Sequence, residues 1–465
     1  MAFEYHFNVN TSLVSVPPAP TQRTRVPLFV GTHSVFGGRA VLYSSLADMV
    51  TDGFATSDPE YVMAEAMLAN PSTIDGAVAR WFVGRRAAEV ANVWKVEVVG
   101  TANGVMNLVD SHTGVDVVIS TFTAAGSTEG QIRDGLMAAL IPAYVDAIVD
   151  ADEFSITQTE AGVPIVLSIT GAAAANLSIV ETTPEVGIQS DLDAIMATVI
   201  DSLPVAVQTW AIFIEPGSLG TGGLIEAATW VHLQATTTGG RGYGIWAQST
   251  DVEIFDSGVT DDPASLIRDL GYTRLDLAYR AVSTDPIQAR AGGRVIPSEP
   301  GTVVWSHRIL TGSSATTVIT YTQNGTFATK RASYAERFRN GTASEARYIG
   351  GRDGTGRQMY HYAAIDSWRD DIERIISYQT ANSDGIDMTL EGLEIGYGGP
   401  IRSEMERMLA LGRLASAGTV TFVDPDEIPD AEILAGDYQT TGLITVTAVL
   451  RVFAERIAVT GVFSI

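Results

Sequence analysis

Two glycine-rich runs, GGRGYG at Gly239–Gly244 and GGRDGTGR at Gly350–Arg357, are the places where backbone N–H groups could cradle a phosphate. Neither has GxGxxG spacing, and no GxxxxGK[ST] exists anywhere in the chain, so both read as tight loops. The acids Asp424, Asp426, Glu427 and Asp430 are dense enough to raise calcium, but Pro425 and Pro429 interrupt them and favour an exposed connector. Histidines stand singly at 6, 33, 112, 232, 307 and 361, none at ligand spacing, and HExxH and GxSxG are absent. There is no cysteine, which removes disulfides, thiolate zinc sites and thiol nucleophiles together. A carboxylate pair for glycoside hydrolysis stays open, because 54 acids offer many combinations whose separation no sequence displays. The residues thus predict no catalytic, cofactor-binding or metal site.

Composition narrows the classes further. The chain has 465 residues, 46 % hydrophobic and 18 % charged, enough to bury large cores in roughly three domains. A net charge of −25 opposes nucleic-acid binding, which needs a basic footprint. No apolar run approaches the roughly 18 residues of a membrane-spanning helix, and MAFEYHFNVN lacks the pattern of a signal peptide. The expectation is a protein made and used in the cytosol or released by lysis. Of 29 basic residues only Lys95 and Lys330 are lysine. Arginine enrichment suits protein interfaces, and codon bias in a GC-rich genome accounts for it equally well.

The elements follow from period and punctuation. VPLFVGTH reads as a buried strand, SSLADMVTDGF as a helix stopped by Gly53, and Asp58-Pro59 as the start of a helix ending at Asn70-Pro71. WFVGRR and VWKVEVVG read as strands. Between about 95 and 190 the texture changes. GVDVVISTF, FSITQT, VPIVLSIT and ANLSIVETT read as β-branched strands, and STEGQIRDGLMAALIPAYVDAI (127–148) as one amphipathic helix. From 190 on, helices and strands alternate through DLDAIMATVIDS, TWAIFI, GLIEAATWVHLQATT, GYGIWAQS, DPASLIRDLG and RLDLAYR, the rhythm of a parallel, helix-covered sheet. SWRDDIERIISYQTAN and PIRSEMERMLALGRLASAG (400–418) read as late helices and TVTFV as a strand. The fold class expected is α/β and α+β, multidomain: a mixed, mostly parallel sheet core with helices, an inserted α+β domain, and extended terminal β-arms. The divisions are an arm at 1–20, core at 21–95, insert at 96–188, core at 189–442 and terminal strands at 443–465.

Both ends are built to pair. Phe3, Tyr5, Phe7 and Val9 alternate with polar residues, then Pro17, Pro18 and Pro20 stiffen a tether whose residues 11–20 can span about 30 Å. Fully burying those four side chains contributes about 6–12 kcal/mol, against about 7–14 kcal/mol for ordering the backbone. One such arm is therefore marginal alone and strong only in numbers. At the other end Val446, Leu450 and Val452 share one face, and Ile457, Val459, Phe463 and Ile465 another. An apolar edge of this kind invites aggregation unless it is paired, either with a second copy or within its own sheet.

Three long stretches carry a resemblance. These are YSSLADMVTDGFATSDPEYVMAEAMLANP, GTVVWSHRILTG followed by RYIGGRDGTGRQMYHYAAIDSWRDDIERII, and EIGYGGPIRSEMERMLALGRLASAG before the closing LRVFAERIAVTGVFSI. In order and coverage the chain resembles the contractile tail sheath family of phages and related injection particles, everywhere but about 95–190. The resemblance implies a structural subunit, not an enzyme, with no cofactor. It implies a variable insert facing outward, which fits 96–188, and terminal arms exchanged between neighbours in a mesh around an inner tail tube. It implies contraction by near-rigid rearrangement without nucleotide, with further contacts to baseplate and tail terminator proteins, no direct nucleic acid and no membrane insertion. The place is the virion tail, assembled in the host cytoplasm. It also implies that the helix around 400–417, with Arg402, Arg407 and Arg413, faces the tube. Another tail or baseplate protein, and more distantly a carbohydrate-active enzyme, are the rival readings.

Overall fold

The computed structural model describes residues 26–72, 75–87, 92–111, 116–159, 163, 165–183, 187–202, 210–236, 242–298, 303–313, 321–337, 346–364, 366–367, 371, 375, 390–410, 414–422, 444–450 and 463–464. Its first elements are β1 (Leu28–Gly31), β2 (Ala40–Tyr43), α1 (Leu46–Asp52), α2 (Pro59–Leu68) and β3 (Trp81–Arg85). Local chemistry sets their ends. The Ser45 hydroxyl accepts the Asp48 N–H at the start of α1, and Gly53 closes it at φ 116°, a left-handed conformation that suits glycine. Pro59 opens α2 at its first position, where a missing N–H costs nothing.

The middle of the chain contributes β4 (Val93–Val98), β5 (Ala102–Asp110), β6 (Val117–Ser127), α3 (Glu129–Ala138), β7 (Tyr144–Ile148), β8 (Glu153–Gln158), β9 (Leu167–Thr170) and β10 (Leu177–Thr183). They form two antiparallel sheets, β10-β4-β8-β7 and β6-β5-β9. Val96, Met106, Leu108, Phe154, Ile156 and the α3 residues Ile132 and Leu136 close on one another as a separate apolar cluster. The single long helix expected over 127–148 is a correction: α3 ends at Ala138 and Tyr144–Ile148 is a strand. Pro142 lacks an N–H and disfavours helix at Ile141, and β8 supplies a partner for the apolar residues beyond. Thr128, with Gln131, makes the capping box that starts α3.

The rest of the core runs α4 (Ile188–Ser202), β11 (Ala211–Ile214), α5 (Thr221–Thr236), β12 (Gly244–Ser249), α6 (Pro263–Asp269), β13 (Leu275–Tyr279), α7 (Ile287–Val295), β14 (Arg308–Leu310), α8 (Tyr321–Lys330), β15 (Ser333–Arg337) and β16 (Ala346–Ile349). With β1–β3 these strands build one nine-stranded sheet, ordered β14-β16-β15-β13-β12-β11-β1-β3-β2. The run β15-β13-β12-β11-β1-β3 is parallel, and β14, β16 and β2 are antiparallel at the flanks. Parallel strands covered on both faces must be apolar throughout, and Leu28, Phe29 and Val30 are wholly buried. Residues of α4, α5 and α6 pack on one face; residues of α1, α2, α7 and the helical turn from Met359 pack on the other. The mixed, mostly parallel sheet core expected from the helix–strand rhythm is present.

The chain closes with α9 (Leu390–Leu393), a π-helical turn at Glu394–Gly398, α10 (Gly399–Ala410), β17 (Leu414–Phe422), β18 (Ile444–Leu450) and β19 (Phe463–Ser464). The expected helix over 400–418 is a second correction. It stops at Ala410, and Leu414–Gly418 belongs to β17, drawn into a strand by pairing with β18. The expected helix over 367–382 and the arm at 1–20 lie largely or wholly outside the described residues.

Candidate assembly surfaces

The C-terminal sheet is the first surface. β18 lies between β17 and β19, antiparallel to both. Val446 stands opposite Val420 and Ile444 opposite Phe422, while Thr445 and Thr447 face Thr421 and Thr419 in register. Val420 is buried and Thr419 and Thr421 are exposed. Among the described residues β19 pairs with two positions of β18, Phe463 opposite Ala448 and Ser464 opposite Thr447. Of the proposed linking residues, Val446 and Leu450 lie in β18 and Phe463 in β19. Phe3, Tyr5, Phe7, Val9, Val452, Ile457, Val459 and Ile465 lie outside the described residues.

The second surface is the helix before that sheet. α10 packs against β17 through its buried Ile401, Met405 and Met408. Arg402 points outward, about half exposed, and pairs with Glu394 of the π-turn. That bond holds the Glu394 carboxyl below the usual range. Arg407 differs: its guanidinium binds Glu404 at 2.8 and 2.6 Å and approaches Asp371 at 3.6 Å, both acids being buried. It is anchored inward, so the positive row expected from the sequence contains one outward cation and one structural cation; Arg413 lies outside the described residues.

The glycine-rich run at 350–357 is a loop organised around Asp353. Its Oδ1 accepts the N–H groups of Thr355 and Arg357 and the Thr355 hydroxyl; its Oδ2 accepts the Arg274 N–H and the Tyr362 hydroxyl. The carboxylate is saturated, and no phosphate cradle remains. Close by, Asp366 of the Asp-x-Trp segment accepts two bonds from Arg274, at 2.5 and 2.8 Å, and one from Trp210 Nε1 at 2.7 Å. This ties the late helix to the entrances of β11 and β13. Arg274 also lies 4.6 Å from the Tyr362 ring centroid, a cation–π contact.

Several buried polar groups were not singled out from the sequence. Asp276 sits in the middle of β13, fully buried, accepting the Ser333 hydroxyl at 2.5 Å and the Tyr348 hydroxyl. Burial pushes its carboxyl up to about 7. The signal was a lone acid within the apolar strand RLDLAYR. Lys330 reaches Asp262 at 2.6 Å, both buried, and Asp262 also caps α6 through Ala264 and Ser265. Among the described residues no group of acids and histidines could hold a metal ion, and no helix is long and apolar enough to cross a membrane. His33 and His361 are both lowered to about 4, chiefly by burial. His6 and His112 lie outside the described residues.

No family model and no curated protein matches the sequence. The structure is similar to a chain in the cryo-EM structure of the anti-feeding prophage (AFP) baseplate, at TM-score 0.51 and 13% identity, over 94% of this chain and 93% of that one. It also aligns with a chain of the contracted PVC sheath complex, an extracellular contractile injection system, at TM-score 0.42 and 14% identity, over 94% and 91%. At such identity the first likeness is one of fold, and it spans nearly the whole of both chains. It agrees with the contractile sheath resemblance carried by the sequence motifs.

Proposed function

We propose that this chain is the structural subunit of a contractile tail sheath or of a related contractile injection particle. Copies polymerise helically around an inner tube, linked by terminal strands, and contraction drives the tube through a target envelope. The core comprises 21–95 and 189–442, with 96–188 as an outward-facing insert. The terminal arms, 1–20 and 443–465, supply Phe3, Tyr5, Phe7 and Val9 at one end and Val446 to Ile465 at the other. Partners are further copies, the tube protein, and baseplate and tail terminator proteins. The particle is a virion tail assembled in the host cytoplasm, and the chain has no catalytic activity.

One observation carries this reading: a fold shared along 94% of the chain with a component of a contractile-particle baseplate. The C-terminal sheet supports the linkage, because it is built by antiparallel backbone pairing of C-terminal strands, the mode in which a strand from another copy can add. The same fold likeness favours a second reading, a baseplate protein present in few copies. Negative-stain microscopy separates them. The purified full chain should form regular cylinders, and deletion of residues 1–10 should leave a folded monomer that does not. Cylinders from the truncated chain would remove the arm from the assembly; no cylinders from the full chain, with few copies per particle, would favour the baseplate role.

A further inference from the structure

The nine-stranded sheet reverses its winding at β1, with β3 on one side and β11 on the other. In α/β proteins the carboxyl ends of strands at such a point form a crevice. Here the chain fills it with its own carboxyl groups. Glu60, in the first turn of α2, is 1 % exposed and lies against Gly31, where an added Cβ would come within 2.0 Å of its Oε1. Neither oxygen has a hydrogen-bond partner on another described residue. The next carboxyl is Glu215, just past β11, accepting the Thr32 N–H at 3.1 Å.

We propose that Glu60 is a proton-operated latch: protonated, it packs as a neutral group against Gly31 and holds α2 on β1; ionised, it is driven out and that junction opens. The groups facing it explain why. Burial, Glu215 and the α2 cap residue Asp58 all oppose its charge, and only its own backbone N–H eases it. Arg86, just past β3, favours charge on Glu215. On α7, which packs on α2, Arg290 is committed to Asp285 and to the Thr311 carbonyl, and Arg294 to the Ile309 carbonyl. On α1, Asp52 accepts the Tyr43 hydroxyl and Asp48 the Ser44 hydroxyl. With Glu60 and Glu215 adjacent, the seam holds one proton more readily than none.

The sign follows from linkage. The Glu60 carboxyl is raised from 4.5 to about 7, so its contribution is complete below pH 4.5 and lost as pH rises through 7. The test is native-state hydrogen exchange on the full chain, read at the α2 amides and corrected for intrinsic rates. Opening of α2 should increase about tenfold per pH unit between pH 5 and 7, then level off. Glu60→Gln, neutral at every pH, should abolish that rise, and Asp276→Asn should retain it. A flat wild-type profile, or the same rise in Glu60→Gln, would overturn the latch. Should Glu60→Gln not fold, carboxyl infrared bands of Asp276→Asn, which lacks the other buried acid raised to about 7, decide. A buried glutamic acid band present at pH 5 and gone by pH 8.5 supports the proposal, and its absence at pH 5 refutes it.

Discussion

The nine-stranded core and the C-terminal sheet solve opposite problems. In the core, two buried acids are answered from distant parts of the chain. Asp353 gathers donors from its own loop, from Arg274 just before β13 and from the following helix; Asp262 binds Lys330 from 68 positions away. Among the described residues β17–β19 instead form a three-stranded sheet whose outer strand spans two residues. The contrast lies in what closes each: side chains arriving from far along the chain in the core, and backbone pairing of β17 with β18, with α10 packed on β17, in the terminal sheet.

The sharpest way to break this comparison is to open the core. Asp262→Ala leaves the Lys330 ammonium buried without its carboxylate and uncaps α6, which should cost about 3–5 kcal/mol. Chemical denaturation would measure it. A loss under about 1 kcal/mol would mean that the pair is relaxed by water and that the core is less self-sufficient than its geometry states.

Next is the α2–α7 crossing, where Ala291, Gly292 and Gly293 let two helices approach backbone to backbone. A Cβ on Gly293 would lie 2.1 Å from the Met67 carbonyl oxygen and 2.6 Å from that of Asn70. Gly293→Ala should destabilise by about 1–3 kcal/mol through forced separation of the helices. Thermal unfolding would detect it, and β17–β19 should be unaffected.

A third test uses pH. Asp276 and Glu60, both raised to about 7, contribute stability that is lost as pH rises from their unfolded values through 7. His33 and His361, lowered to about 4, contribute stability that is lost as pH falls from 6.5 through 4. Between about pH 4.5 and 6.5 the two pairs oppose each other, so their sum is nearly flat. Asp276→Asn removes one of the two acids. Its stability relative to wild type should then fall with acidification by about 1.4 kcal/mol per pH unit. Parallel pH profiles for the two proteins would show that Asp276 is already ionised in the fold.

These cases also explain what the sequence displayed. Element type was legible wherever punctuation and period agreed, as at Ser45–Gly53, Asp58-Pro59 and the apolar run Leu28–Val30. It failed where an apolar stretch changed partner midway. Residues 127–148 and 400–418 each continue a helical pattern into a segment that a neighbouring strand captures, and only tertiary pairing decides that. Chemical roles were harder to see. A glycine-rich loop and an isolated acid look the same on paper whether they bind a ligand or saturate themselves, because saturation depends on residues such as Arg274 and Tyr362 arriving from elsewhere. The π-turn at Glu394–Gly398 had no signal beyond its glycines.

The smallest effect expected on folding sharpens the comparison most at the surface. Arg402 and Arg407 looked equivalent along one helix, yet only Arg402 is outward and paired with an exposed acid. Arg402→Glu should change stability by less than about 1 kcal/mol, since exposed pairs contribute little. Arg407→Gln, by contrast, removes two charge-assisted bonds to buried Glu404 and should cost about 1.5–3 kcal/mol. Loss of assembly in an Arg407 variant therefore mixes unfolding with lost contact, and Arg402 is the clean probe. If this helix faces an acidic tube, Arg402→Glu should reduce co-sedimentation with tube protein, more so at low salt, while cylinders of the chain alone persist. Unchanged co-sedimentation at low salt would place the tube contact on another element.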